Sequence, residues 1–237
     1  MPVLSAANAI QAKTGSSSNT TSATVALDNP TTPGGTVTVE LFGPIAWPGM
    51  PDGWEYDAST FSTGLAWMFR YSGGPGGETS WTWTLGFAVN WVWRVTEWDV
   101  GLDPISPLET WTANTASGVG VTTVSTGTTP TTTRAETVAL AWHLWNWGGV
   151  SAQSFDWSAH TNGFVERDEL RVTFPAGTGA EMDSCWSWAF SDTAGTFECT
   201  ATTNTTPRHA GDTFYSLIVV YAATQPIIEM PGAVTVV

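Results

Sequence analysis

Lysine is almost missing from this 237-residue chain: Lys13 stands alone, and charged residues of all kinds make up 12% of the sequence. That is about half the usual globular share. The balance is acidic, with 7 basic and 21 acidic residues, so the net charge is −14. Nucleic acid is excluded as a partner, because no basic footprint exists to displace phosphate counterions. Attraction to anionic lipid is disfavoured for the same reason. No run approaches the roughly 18 apolar residues of a membrane-spanning helix, which predicts no membrane contact. Residues 1–15 have neither a basic start nor an apolar core, which predicts no secretory signal.

Chemical motifs are scarce as well. There is no G-x-S-x-G elbow, no phosphate-binding glycine loop and no D-x-D-x-D-G calcium loop. The histidines are His143, His160 and His209, with no H-x-H or H-E-x-x-H spacing. No metal and no cofactor is expected from them, and His143, inside an apolar stretch, is read as a structural core residue. Two cysteines, Cys185 and Cys199, flank a turn at residues 192–195 and would face each other on a hairpin. Whether they bond depends on register, which the turn leaves open. A glycanase needs two carboxylates across a groove, roughly 5–9.5 Å apart. Glu97 and the cluster Glu166, Asp168 and Glu169 are the candidates, but the cluster reads more simply as a solvated strand end. The chain is not expected to be an enzyme.

What the chain has in quantity is tryptophan, threonine and glycine. Over residues 79–100, Trp81, Trp83, Leu85, Phe87, Val89, Trp91, Trp93 and Val95 fall on alternate positions, with Thr82, Thr84, Gly86, Ala88, Asn90, Arg94 and Thr96 between them. Strict period two is the signature of strand. The run exceeds an ordinary strand, so a bend or turn at Gly86 or Asn90 and two antiparallel strands are expected. Leu, Phe and Val share the face with the tryptophans, which favours a packed core over a sugar-stacking platform.

Further strands are expected at residues 23–27, 36–41, 64–71, 137–145, 166–174, 184–190, 196–202 and 214–223, with weak ones in 111–127. Residues 15–21 read as a turn, 43–52 and 155–163 as loops, and 128–133 as an ordered connection. Ten to twelve short strands with no helix make the fold class all-β, a jelly-roll-like antiparallel β-sandwich. The expected organisation is an N-terminal arm or edge strand over residues 1–14, one sandwich domain over 15–224 and a C-terminal docking tail over 225–237. Loop aromatics are the better functional candidates. Trp54, Trp145, Trp147 and Trp157 are the expected contacts to glycan or to a protein interface.

Several segments resemble a family. Residues 10–41, with Thr24-Val25 and Thr36-Val37-Thr38-Val39, are similar to the opening of a jelly-roll domain in tail and virion proteins of phages infecting actinobacteria. Pro51-Asp52-Gly53-Trp54 resembles that family's p-x-G-W turn. Val95-Thr96-Glu97-Trp98, Pro107-Leu108-Glu109, the threonine run at 126–133 and Glu136-Thr137-Val138-Ala139-Leu140 resemble its later segments. The likeness spans roughly residues 10–223. It implies a virion structural protein without catalytic residues or cofactor, most simply a minor tail protein at the tail tip that aids assembly and host-surface adsorption. Capsid decoration is the alternative place, and a glycan-binding module or glycanase the alternative class. The implied partners are other virion subunits, further copies of the chain and host cell-wall glycan, with assembly in the host cytoplasm. The excess of tryptophan departs from the family and favours a binding surface.

Overall fold

A computed structural model describes residues 9–43, 47–60, 66–98, 102–103, 105–118, 120–147, 157–173, 181–204 and 212–222. The described chain is all-β, as period two demands. Its first half holds β1 (Ala9–Ala26), β2 (Thr36–Phe42), β3 (Trp54–Ser59), β4 (Ala66–Ser72) and β5 (Ser80–Trp98). Its second half holds β6 (Leu108–Ser117), β7 (Thr123–Ser125), β8 (Thr137–Trp147), β9 (Trp157–Ser158), β10 (Val165–Thr173), β11 (Glu181–Ser191), β12 (Thr200–Thr203) and β13 (Thr213–Ala222). Sheet I runs β1-β5-β2-β4-β3 and sheet II runs β10-β11-β8-β13-β6, with β7-β12-β9 as a small third sheet. Every pairing between these strands is antiparallel.

The tryptophan-rich run is one strand of 19 residues rather than two. The expected bend is present, but it is a bulge and not a chain reversal. Pairing with β1 slips between Ser17 and Ser22, and the slip lies opposite residues 84–91 of β5. Asn19 takes a positive φ of 48° there, and its N–H donates to Asn90 Oδ1 at 3.0 Å. Asn tolerates that left-handed backbone better than most residues. Residues 15–21, expected as a turn, therefore lie inside β1, and residues 9–14 begin the same edge strand. Gly15 permits the close approach of the two strands, since a Cβ there would lie 2.2 Å from the Trp93 ring.

The bulge lets the β1–β5 ribbon fold back over its own sheet. Trp83 of β5 meets Trp54 of β3 at 4.8 Å between ring centroids. In a flat sheet β2 and β4 would hold β5 and β3 about 14 Å apart, so the contact requires curling. Trp54, Trp67, Phe69, Trp81, Trp83, Trp91 and Trp93 fill the space between ribbon and sheet. Even-numbered residues of β5 point the other way: Ser80, Thr82, Thr84 and Ala88 are exposed, and from Val92 onward they face sheet II. Trp98 packs with Leu140, Trp188 and Tyr221, and Val92 packs with Trp142 and Trp186.

Sheet II has the same wiring as sheet I. Matching β6, β8, β10, β11 and β13 to β1, β2, β3, β4 and β5 reproduces the strand order. The β7–β12 pair continues β6–β13 as the outer ribbon continues β1–β5. The β9–β12 pair matches the isolated bridge between Gly49 and Thr84. Even a turn recurs. Thr31 donates its N–H to Glu78 O and accepts Glu78 N–H on Oγ1, and Thr129 does the same with Phe197. In the second half Thr126 and Thr132 repeat the clasp with Cys199 and Gly195. Threonine at every third position suits an extended segment with three residues per turn, which accounts for the threonine-rich composition of residues 126–132.

Charges fasten the two sheets together. Arg94 Nη1 donates to Asp168 Oδ2 at 2.9 Å, with its guanidinium over Trp188 at 5.2 Å. Tyr221 donates its hydroxyl to Asp57 Oδ2 at 2.8 Å, and Arg70 holds the same carboxylate. The acidic run expected to be solvated is partly so, and gives Asp168 to a pair whose buried partner is Arg94. Glu97, weighed above as a catalytic carboxylate, is buried and accepts from the Thr32 N–H and the Gln11 amide.

Candidate functional site

Three of the four expected aromatic contacts are not surface features. Trp54 (6% exposed), Trp145 (1%) and Trp157 (4%) are buried. Trp54 sits under the outer ribbon, while Trp145 and Trp157 lie beneath the third sheet with Val124, Cys185, Ala201 and Phe214. None offers a face to a sugar, because the flap that closes each sheet covers it. Trp147 ends β8, and its side chain lies outside the described residues. Twelve of the fifteen tryptophans are buried. The exposed aromatics among the described residues are Trp47, Phe87 and Trp111.

The expected cysteine hairpin does not form either. β11 belongs to sheet II and β12 to the third sheet, and both cysteines are free and buried. Residues 192–199 separate β11 from β12, and Gly195, Phe197 and Cys199 bond to Thr132, Thr129 and Thr126 instead of turning back onto β11.

That rearrangement brings Cys199 to two histidines. His143 comes from β8, His160 from the turn between β9 and β10, and Cys199 directly precedes β12. His143 Nε2 lies 3.4 Å from Cys199 Sγ, and His160 Nδ1 lies 3.9 Å from it. These donor atoms all fall within 4.8 Å of one another. The remaining nitrogen of each ring is engaged: His143 Nδ1 with Ser216 Oγ at 2.9 Å and His160 Nε2 with Glu166 Oε2 at 3.2 Å. Ser187 Oγ is 3.5 Å from the sulfur. Trp157 stacks on the His143 ring at 5.9 Å, and its indole N–H donates to Asp183 Oδ1 at 2.9 Å.

Local backbone aims His160. Ala159 and Asn162 both have positive φ, 50° and 57°. An alanine adopts that conformation only at a cost of about 1–2 kcal/mol, so neighbouring contacts must hold it. They do so on both sides of Cys199. Thr161 N–H donates to Thr200 O, Thr200 N–H to Thr161 Oγ1, and Asn162 Nδ2 to Glu198 O. Beside the cluster lies a groove of about 430 Å³, whose walls Phe164, Ala189 and Phe197 also pack around Cys199.

A cysteine beside a histidine invites comparison with a nucleophile and its base. Here burial pushes the Cys199 thiol up to about 11 and the His143 imidazole down to about 3. Both shifts favour the neutral pair, the reverse of the thiolate that attacks substrates. What the arrangement offers is three lone-pair donors, two nitrogen and one sulfur, converging in a closed space. His143 was read from sequence as a core residue. It is one, but its neighbours are chemical groups instead of aliphatic ones. The signal that sequence reasoning missed has no fixed spacing, because it joins three separate segments.

No family model matches the chain, and neither a curated protein nor a solved structure is significantly similar to it.

Proposed function

We propose that this chain is a structural protein of a phage virion, a minor tail protein at the tail tip that contributes to assembly and host-surface adsorption. The jelly-roll wiring implied by the family resemblance is part of the same proposal. The observation that carries the reading is the placement of the tryptophans. Twelve of fifteen are buried, so the aromatic content builds stiff doubled walls. Particle subunits require such stiffness.

Among the described residues, the exposed large apolar ones are Ile10, Trp47, Phe87, Ile105, Trp111 and Val165, spread over separate elements. Dispersed apolar contacts suit a subunit with several neighbours, whether other virion proteins or further copies of itself. Host glycan contact in adsorption falls, among the described side chains, to Trp47 or Trp111, since Trp54, Trp145 and Trp157 are enclosed.

Antibody labelling of intact particles tests the reading. Label at the tail tip is the expected result. Label over the head would move the protein to capsid decoration, and purified particles without label would overturn the virion assignment.

A further inference from the structure

We propose that His143, His160 and Cys199 bind one metal ion of the zinc class through His143 Nε2, His160 Nδ1 and Cys199 Sγ. The spacing is that of ligands around such an ion. Zinc lies about 2.3 Å from sulfur and about 2.0–2.1 Å from imidazole nitrogen, so tetrahedral ligation puts sulfur and nitrogen roughly 3.5 Å apart. The two sulfur–nitrogen distances are 3.4 Å and 3.9 Å. The third pair, His143 Nε2 and His160 Nδ1, lies within 4.8 Å; tetrahedral ligation puts two imidazole nitrogens roughly 3.4 Å apart, so the two rings draw together by up to about 1.4 Å as an ion enters.

The outer partners make the same argument independently. A metal-binding histidine fixes its second nitrogen on a carboxylate, hydroxyl or carbonyl, which orients the ring and raises its basicity. Ser216 does this for His143 and Glu166 for His160. Ser187 stands beside the sulfur, placed to donate to a thiolate. A histidine that merely fills a core has no reason to hold one nitrogen and present the other to a shared sulfur, and here two do so. The loop carrying His160 is tied to residues 198 and 200, either side of Cys199. The donors are therefore gathered by the fold before an ion arrives.

The donor set selects the ion. Two imidazoles and a thiol suit zinc and reject magnesium or calcium, which take oxygen ligands. Three protein ligands leave a fourth position for water or another small donor. Binding replaces the thiol proton, which leaves to solvent as the metal–thiolate bond forms, so affinity rises with pH.

The test uses the full chain, expressed with zinc and purified under reductant. Elemental analysis is expected to find one zinc per chain. Exchange for cobalt(II) is expected to give a thiolate-to-cobalt charge-transfer band and the intense visible bands of a four-coordinate ion. Cys199→Ser should abolish the charge-transfer band, and Cys185→Ala should keep it. Glu166→Gln, a positioning change at a one-third-exposed side chain that leaves folding intact, should weaken zinc affinity about 10–100-fold. Substoichiometric zinc, cobalt spectra without a thiolate band, or a band lost in Cys185→Ala and kept in Cys199→Ser would overturn the assignment. If Cys199→Ser fails to fold, the parent spectrum and the Glu166→Gln affinity still decide.

Discussion

The two halves share one wiring and differ in what lies under the flap. In the first half the layer between sheet I and its ribbon is Trp on Trp, with Leu41, Phe69, Trp83 and Trp93 all 6% exposed or less. In the second half the layer between sheet II and the third sheet keeps Trp145, Trp157 and Phe214 but also contains His143, Cys185, Ser187, Ser216 and Cys199. A sheet folded under its own edge makes a closed compartment with alternate residues pointing in. Large aromatics fill it and make a wall. Smaller polar residues let donors converge, and each then needs a partner because water is excluded. One architecture thus serves rigidity on one side and chemistry on the other.

The sharpest way to break this contrast is to empty the wall. Trp83→Ala should cost about 3–5 kcal/mol, read as a fall in the urea midpoint, since Trp54 and Phe69 would lose their packing partner. Ser187→Ala in the other compartment should cost less than about 1 kcal/mol, the scale of one weak hydrogen bond. Equal losses would mean that the two layers do the same job.

Next comes the seam between halves. Arg94→Ala should destabilise by about 3 kcal/mol, the low end for breaking a buried pair, because Asp168 is 35% exposed and water partly compensates. Glu40, opposite Arg94 on β2, would keep a buried carboxyl without its cation. Arg94→Met combined with Glu40→Leu should recover most of the loss, as a double-mutant cycle would show.

A smaller effect distinguishes the halves by pH in metal-free protein. Burial raises the Glu40 pKa from 4.5 to about 7. Its contribution to stability is full below pH 4.5 and lost as pH rises through 7. Burial lowers His143 from 6.5 to about 3. Its contribution is full above pH 6.5 and lost as pH falls towards 3. Thermal melts at pH 5 and pH 7 should therefore move in opposite senses relative to the parent: Glu40→Gln gains on going to pH 7, and His143→Gln loses. Smallest of all, Trp111→Thr on edge strand β6 should change stability by no more than about 0.5 kcal/mol. A larger loss would show that Trp111, too, belongs to a wall.

Alternation marked β2 and β10, and the apolar stretches at 137–145 and 214–223 marked β8 and β13; in the structure β2, β8 and β13 are buried on both faces. Alternation also marked the tryptophans of β5 as core residues. It could not reveal that residues 80–98 form one strand, since a bulge and a turn begin with the same Gly and Asn signals. β3 escaped notice because only Trp54 and Tyr56 carry its apolar face, with charged Glu55 and Asp57 beside them. The supposed cysteine hairpin failed for a related reason: a turn-like sequence at 192–195 is equally content to lie along residues 126–132.

Local side-chain periodicity, then, determined the all-β class, the antiparallel strands and the burial of the β5 tryptophans. Tertiary structure alone decided the duplication of wiring, the covering of Trp54, Trp145 and Trp157, and the meeting of His143, His160 and Cys199. Those three residues are 56 and 39 positions apart along the chain as measured from Cys199. Their convergence depends on which sheet a flap closes over, and that choice is made by packing of whole faces, not by any neighbouring residues.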